Sequence, residues 1–67
     1  MQVYIAGYEN DIEAVFEDEE DAVDYLINKH FKDASNFDKF EIKDSILEHG
    51  CYDLFWVECF KVVKKNV

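Results

Sequence analysis

Apolar and polar positions alternate along Gln2–Tyr8, with Val3 and Ile5 on one side and Tyr4, Ala6 and Tyr8 on the other. That period predicts a strand with one face in the core. Gly7, near its end, marks a bulge or a close backbone approach. Glu9-Asn10-Asp11 is turn chemistry, because Asn and Asp tolerate left-handed φ and cap their own turns. Ile12, Ala14 and Phe16 then share one side of a second alternating run, so the two runs predict a hairpin.

The period changes after Phe16. Asp18 stands where an N-cap is wanted, and Asp21, three residues on, makes an acidic variant of the capping box. Glu19, Glu20 and Asp21 fill a first turn, where the helix macrodipole favours negative charge. Ala22, Val23, Leu26, Ile27 and His30 form one apolar stripe, and Lys29 and Lys32 stand at the end that favours cations. A helix from about Glu19 to Phe31 follows.

Beyond it, Asp33 to Lys39 is polar and predicts a loop. Phe40, Ile42 and Ile46 alternate with Glu41, Lys43 and Ser45 and predict a third strand, interrupted by Asp44. Glu48-His49-Gly50 predicts a turn. From Leu54 to Val63 only Glu58 and Lys61 break an apolar run, which predicts a fourth strand buried on both faces or central in the sheet. Lys64 to Val67 is expected to fray.

The predicted fold is a single α+β domain over 1–67: a four-stranded antiparallel sheet with one helix packed on one face, in the order β-β-α-β-β. One helix covers one face, yet the last strand is apolar on both parities. The 31–39 loop, a second copy of the chain or a partner is therefore expected on the other face. About 60 residues bury only about 60% of the unfolded chain's surface. An apolar content of 49% and an aromatic content of 16% supply a core regardless, and disordered acidic chains are poor in such residues.

Charge narrows the function. The net charge of -9 lies wholly in residues 1–28, which hold nine acids and no base; residues 29–67 hold seven acids and seven lysines. Nucleic acids and anionic membranes require a basic footprint, so neither is an expected partner. No apolar run approaches the roughly 18–20 residues of a membrane span. Met1-Gln2-Val3-Tyr4 lacks a basic n-region and an apolar h-region, so a cytoplasmic location is expected. The chain contains no Arg, which removes bidentate recognition of phosphate or carboxylate.

Site chemistry is sparse. Cys51 and Cys59 would lie about 26 Å apart along one strand, beyond disulfide reach, and are expected to be reduced packing residues. With His30 and His49 they do not make the two close ligand pairs of a structural zinc site, so no metal and no cofactor is expected. Ser35 and Ser45 stand in no nucleophile elbow, and Gly7 and Gly50 alone build no phosphate loop. No catalytic residue is assigned, and the chain is expected not to be an enzyme.

The acids remain. Glu17, Glu20, Asp21 and Asp24 recur at helical spacing, with neighbours about 5–6 Å apart, similar to successive phosphates of a nucleic-acid strand. Glu9, Asp11 and Glu13 extend this row from the hairpin. Without a lysine nearby, the row either serves solubility or docks on the basic surface of a nucleic-acid-binding protein. The expected contact residues are Glu13, Glu17, Glu20, Asp21 and Asp24, with Tyr52 and Trp56 as aromatic anchors.

Val3-Tyr4-Ile5, Ile12-Glu13-Ala14-Val15-Phe16 and Glu19-Glu20-Asp21-Ala22-Val23-Asp24-Tyr25-Leu26 together resemble a diffuse group of very small acidic proteins of Gram-positive bacteria and their phages. The likeness covers about residues 3–27. It implies a ββα-type fold and a phage early protein that binds and inhibits a host enzyme, and it carries over no site residue. The expectation is a non-enzymatic inhibitor or adaptor. The alternative is a structural homodimer through the uncovered sheet face.

Overall fold

The computed structural model describes residues 1–63, so the expected fraying of Lys64 to Val67 lies outside the described residues. The elements are β1 (Gln2–Tyr8), β2 (Asp11–Phe16), α1 (Glu19–His30), α2 (Asn36–His49), β3 (Cys51–Tyr52) and β4 (Phe55–Lys61). The strands form one antiparallel sheet in the order β2-β1-β4-β3. The four-stranded antiparallel α+β fold is as expected, but the described residues form two helices where one was expected.

Both predicted N-terminal strands and α1 form where the pattern places them. β1 and β2 join through Glu9-Asn10, with Glu9 at a left-handed φ of 54°. Asp18 caps α1, its side chain accepting from the Glu20 N–H at 3.0 Å. Among the described residues Asp21 returns no bond to the cap, so the box is half-made. Ala22, Val23, Leu26 and Ile27 are buried against Ala6 of β1 and Val57 of β4, with Ile42 and Ile46 of α2 completing the core. Tyr4, Phe16, Tyr25, Phe31 and Phe55 pack around it half-buried. Side chains of this size contribute about 1.5–3 kcal/mol each when fully buried.

The third predicted strand is corrected: Phe40, Ile42 and Ile46 lie in α2, and most of the predicted 33–39 loop is its first turn. Ser35 is the N-cap, its hydroxyl accepting from the Asp38 N–H at 3.1 Å. Gly50 ends the helix at φ 83° and donates its N–H to the Ile46 carbonyl at 2.7 Å, so Glu48 and His49 are helical rather than a turn. The real third strand is the two-residue β3, joined to β4 by the tight Asp53-Leu54 turn.

The buried-on-both-faces reading of β4 is also corrected. Val57 is buried, but Glu58, Cys59, Phe60 and Lys61 are exposed. β3 pairs with Phe55 and Trp56, and Val57 donates its N–H to the Gly50 carbonyl at 2.9 Å; among the described residues, β4 from Glu58 to Lys61 pairs with β1 alone. Both thiols are free and exposed, which corrects their expected packing role.

Register shows what the helices cover. Ala6 faces Val57 across the β1–β4 pair, and both are buried, so this parity meets the helices. Val3, Ile5, Gly7, Val15, Trp56 and Phe60 occupy the opposite face, which no element of the described residues covers.

Candidate functional site

Glu13 owes its position to a bulge. The register of β1 on β2 passes from Ala6↔Ala14 to Gly7↔Ile12, leaving Glu13 as the extra residue and turning it toward α1. His30 Nε2 donates to its carboxylate at 2.8 Å, and Lys29 Nζ lies 3.7 Å away. The His30 hydrogen bond, then the charges of His30 and Lys29, hold the Glu13 carboxyl below its usual range against the opposing effect of burial. The imidazole is itself stacked on Tyr8 at 5.8 Å and tilted on Phe55 at 4.7 Å. Glu13 is thus an internal ion-pair partner at the C-terminal end of α1.

Glu20 and Asp24 have a partner that the sequence pattern hides. Lys43, on α2, places Nζ 3.0 Å from Asp24 Oδ1 and 3.5 Å from Glu20 Oε1. The Asp24 hydrogen bond is the main cause of the raised Lys43 pKa. This corrects the premise that no lysine stands near the acids. Helical pairing of 40–46 brings Lys43 across, where a strand would not.

Glu17, Glu19 and Asp21 are exposed and make no ion pair among the described residues. Glu9 and Asp11 lie at the hairpin tip, beside Tyr8 and hence the His30 end of α1. The twelve residues of α1, about 18 Å at 1.5 Å per residue, separate them from Asp18–Asp21. The acids therefore form two groups at opposite ends rather than one row.

The two expected aromatic anchors also part. Trp56 lies on the uncovered sheet face, its indole closed over Gly7 and its Nε1–H donating to the Glu9 carbonyl at 2.7 Å. Tyr52 precedes the Asp53-Leu54 turn and packs edge-on against Phe31 on the helix side, centroids 6.0 Å apart. Across the short turn Tyr52 is paired with Phe55 and Cys51 with Trp56, so the two anchors lie on opposite faces of the sheet.

What sequence reasoning missed is the outer face of α2. Phe37 and Phe40 are 68% and 70% exposed, and Leu47 is 37% exposed. A groove of about 730 Å³ runs between α2, the Phe31–Ala34 loop and Tyr52, with Asp38, Glu41 and Asp44 among its lining residues. A smaller one, about 260 Å³, is lined by Glu20 of α1 and by Phe40, Lys43, Asp44 and Leu47 of α2. It joins Glu20 of α1 to the exposed Phe40 and Leu47 of α2. The i, i+3, i+10 spacing of Phe37, Phe40 and Leu47 carried this signal once the segment is read as helix.

Among the described residues, no group of three or more His, Cys, Asp or Glu side chains is placed to hold a metal ion. None of their helices is long and apolar enough to cross a membrane. Comparisons with protein-family models, curated proteins and solved structures find no match to this chain.

Proposed function

We propose that this chain is a non-enzymatic binding protein that docks its two-helix face on a basic surface of a partner protein. Within the group it resembles, that makes it a phage-encoded inhibitor or adaptor acting on a host protein in the host cytoplasm. The observation that carries the reading is the junction at Glu20, Phe40, Lys43 and Leu47, where exposed acids and exposed apolar side chains share one surface. Electrostatic attraction steers such an encounter, and apolar anchors slow its dissociation. Lys43 neutralises part of the acidic row, so the proposal keeps to a basic protein surface and does not require imitation of nucleic-acid phosphates. Free, exposed thiols at Cys51 and Cys59 suit a reducing compartment.

Glu17 and Asp21 are the residues to reverse, because neither holds α1 to α2. Immobilised protein should retain a host partner from lysate, and Glu17→Lys with Asp21→Lys should lose it while keeping the native circular dichroism. Equal retention by this variant contradicts the reading.

A second reading has its own observation: both helices pack on one side of the sheet, and the opposite face carries Val3, Ile5, Val15, Trp56 and Phe60 with Glu58 as the charge among them. Such a charge-poor face suits a second copy, whose acids would point away. Sedimentation at micromolar concentration separates the readings, since a strict monomer excludes this one.

A further inference from the structure

We propose that the outer face of α2 is a docking groove for a basic amphipathic helix of the partner protein. The inference rests on the proposed binding of a basic partner, and it moves the anchor from Trp56 to Phe37 and Phe40. Three features of the surface select this occupant.

The first is shape. Phe37, Phe40 and Leu47 span ten residues of α2, about 15 Å along its axis at 1.5 Å per residue. The adjoining groove of about 730 Å³ has Phe31, Ala34 and Tyr52 on its far side. A helix laying apolar side chains at i, i+3 or i+4, and i+7 into such a trough reaches anchors over a similar length.

The second is an exposure that the fold does not use. Ile42 and Ile46 already supply the contacts of α2 with the core, and neither Phe37 nor Phe40 packs against it. Large aromatic side chains about 70% exposed contribute little to folding, and aromatic anchors of this kind dominate interface energies.

The third is charge. Asp38, Glu41 and Asp44 line the groove, and none makes an ion pair among the described residues. A two-fold dimer through this face would set those acids against their own copies, because an isologous interface matches a patch with itself. Nucleic acid and anionic membrane carry the wrong sign. A helix with lysines or arginines flanking its apolar stripe satisfies groove and rim together.

The test uses a synthetic, fluorescently labelled peptide of about 18 residues, with Leu and Phe on one helical face and Lys elsewhere. Its comparator is a scramble of the same composition that has no apolar face. The amphipathic peptide should bind at least about tenfold more tightly than the scramble. Phe37→Ser with Phe40→Ser should reduce its affinity by about tenfold or more, and Glu41→Lys with Asp44→Lys should do the same. Both positions of the first pair are exposed, so the thermal midpoint should hold. In amide shift mapping, perturbations should concentrate between residues 37 and 47. Equal affinity for peptide and scramble, or for wild type and the Phe pair, overturns the groove. Should the scramble bind equally and Glu17→Lys with Asp21→Lys abolish binding, the groove fails and the basic-partner reading stands. Failure of both lysine peptides to bind at millimolar concentration overturns both.

Discussion

Gly7 and Trp56 make one unit of structure. A Cβ at position 7 would run into the Trp56 indole, and that ring is tied to the Glu9 carbonyl. Gly7→Ala must displace the ring and stretch or break its hydrogen bond. The expected cost is about 1–3 kcal/mol, as for other overpacked sites, read as a lower thermal midpoint with a changed Trp56 emission. The Gly7 signal was legible in the sequence as a bulge or a close approach, and the structure has the bulge. The approaching group was not legible, because nothing local places position 56 over position 7.

The pairing of Glu13 makes stability depend on pH. Its carboxyl stays ionised in the folded state to lower pH than in the unfolded chain, where its reference value is 4.5. The contribution of its pairing with His30 and Lys29 is therefore full above that value and is lost as pH falls through the lowered folded one. Glu13→Gln should flatten the acid limb of the stability profile below about pH 5. Chemical denaturation of both proteins between pH 3 and 6 checks this, and parallel profiles would contradict the pairing. Alternation suggested an outward Glu13; the one extra residue of the bulge turns it inward.

At the scale of elements, α2 explains why the middle of the chain misleads. Ile42 and Ile46 face the core while Phe37, Phe40 and Leu47 face solvent. Apolar residues on two opposite sides cancel the 3.6-residue period, and the remaining Phe40-Ile42 alternation imitates a strand. Local chemistry was the better guide: Ser35 with Asp38 three residues on is an N-terminal signature, and Gly50 is a C-terminal one. By contrast, α1 agrees in cap, period and macrodipole, so it was legible to within a residue of its end. Ser35→Ala should cost about 1 kcal/mol, measured by denaturant unfolding, because the Asp38 N–H loses its acceptor. Stability unchanged by that substitution would mean that the hydroxyl does not hold the helix start.

For the whole molecule, the sequence made the charge asymmetry plain but not its distribution in space. Glu13, Glu20 and Asp24 are paired internally, and the hairpin acids lie at the far end from the start of α1. The net charge of -9 still favours expansion of the folded state. Raising salt from about 0.01 M to about 0.15 M shortens the Debye length from about 30 Å to about 8 Å. The thermal midpoint should rise; a flat or falling response would mean that the ion pairs at Lys43 and Glu13 outweigh the repulsion.

The anionic half and the aromatic half of the sequence meet on one surface, where α1 lies beside α2. That meeting comes from the pairing of two helices, one of which the pattern concealed. Its most direct test is the salt dependence of affinity for a partner retained from host lysate, compared between wild type, Glu17→Lys with Asp21→Lys, and Phe37→Ser with Phe40→Ser. Wild-type affinity should fall steeply from about 50 mM to about 300 mM salt, with a shallower slope for the charge-reversed protein and a uniform loss at every salt for the phenylalanine variant. Affinity that is independent of salt and unchanged in both variants would contradict it.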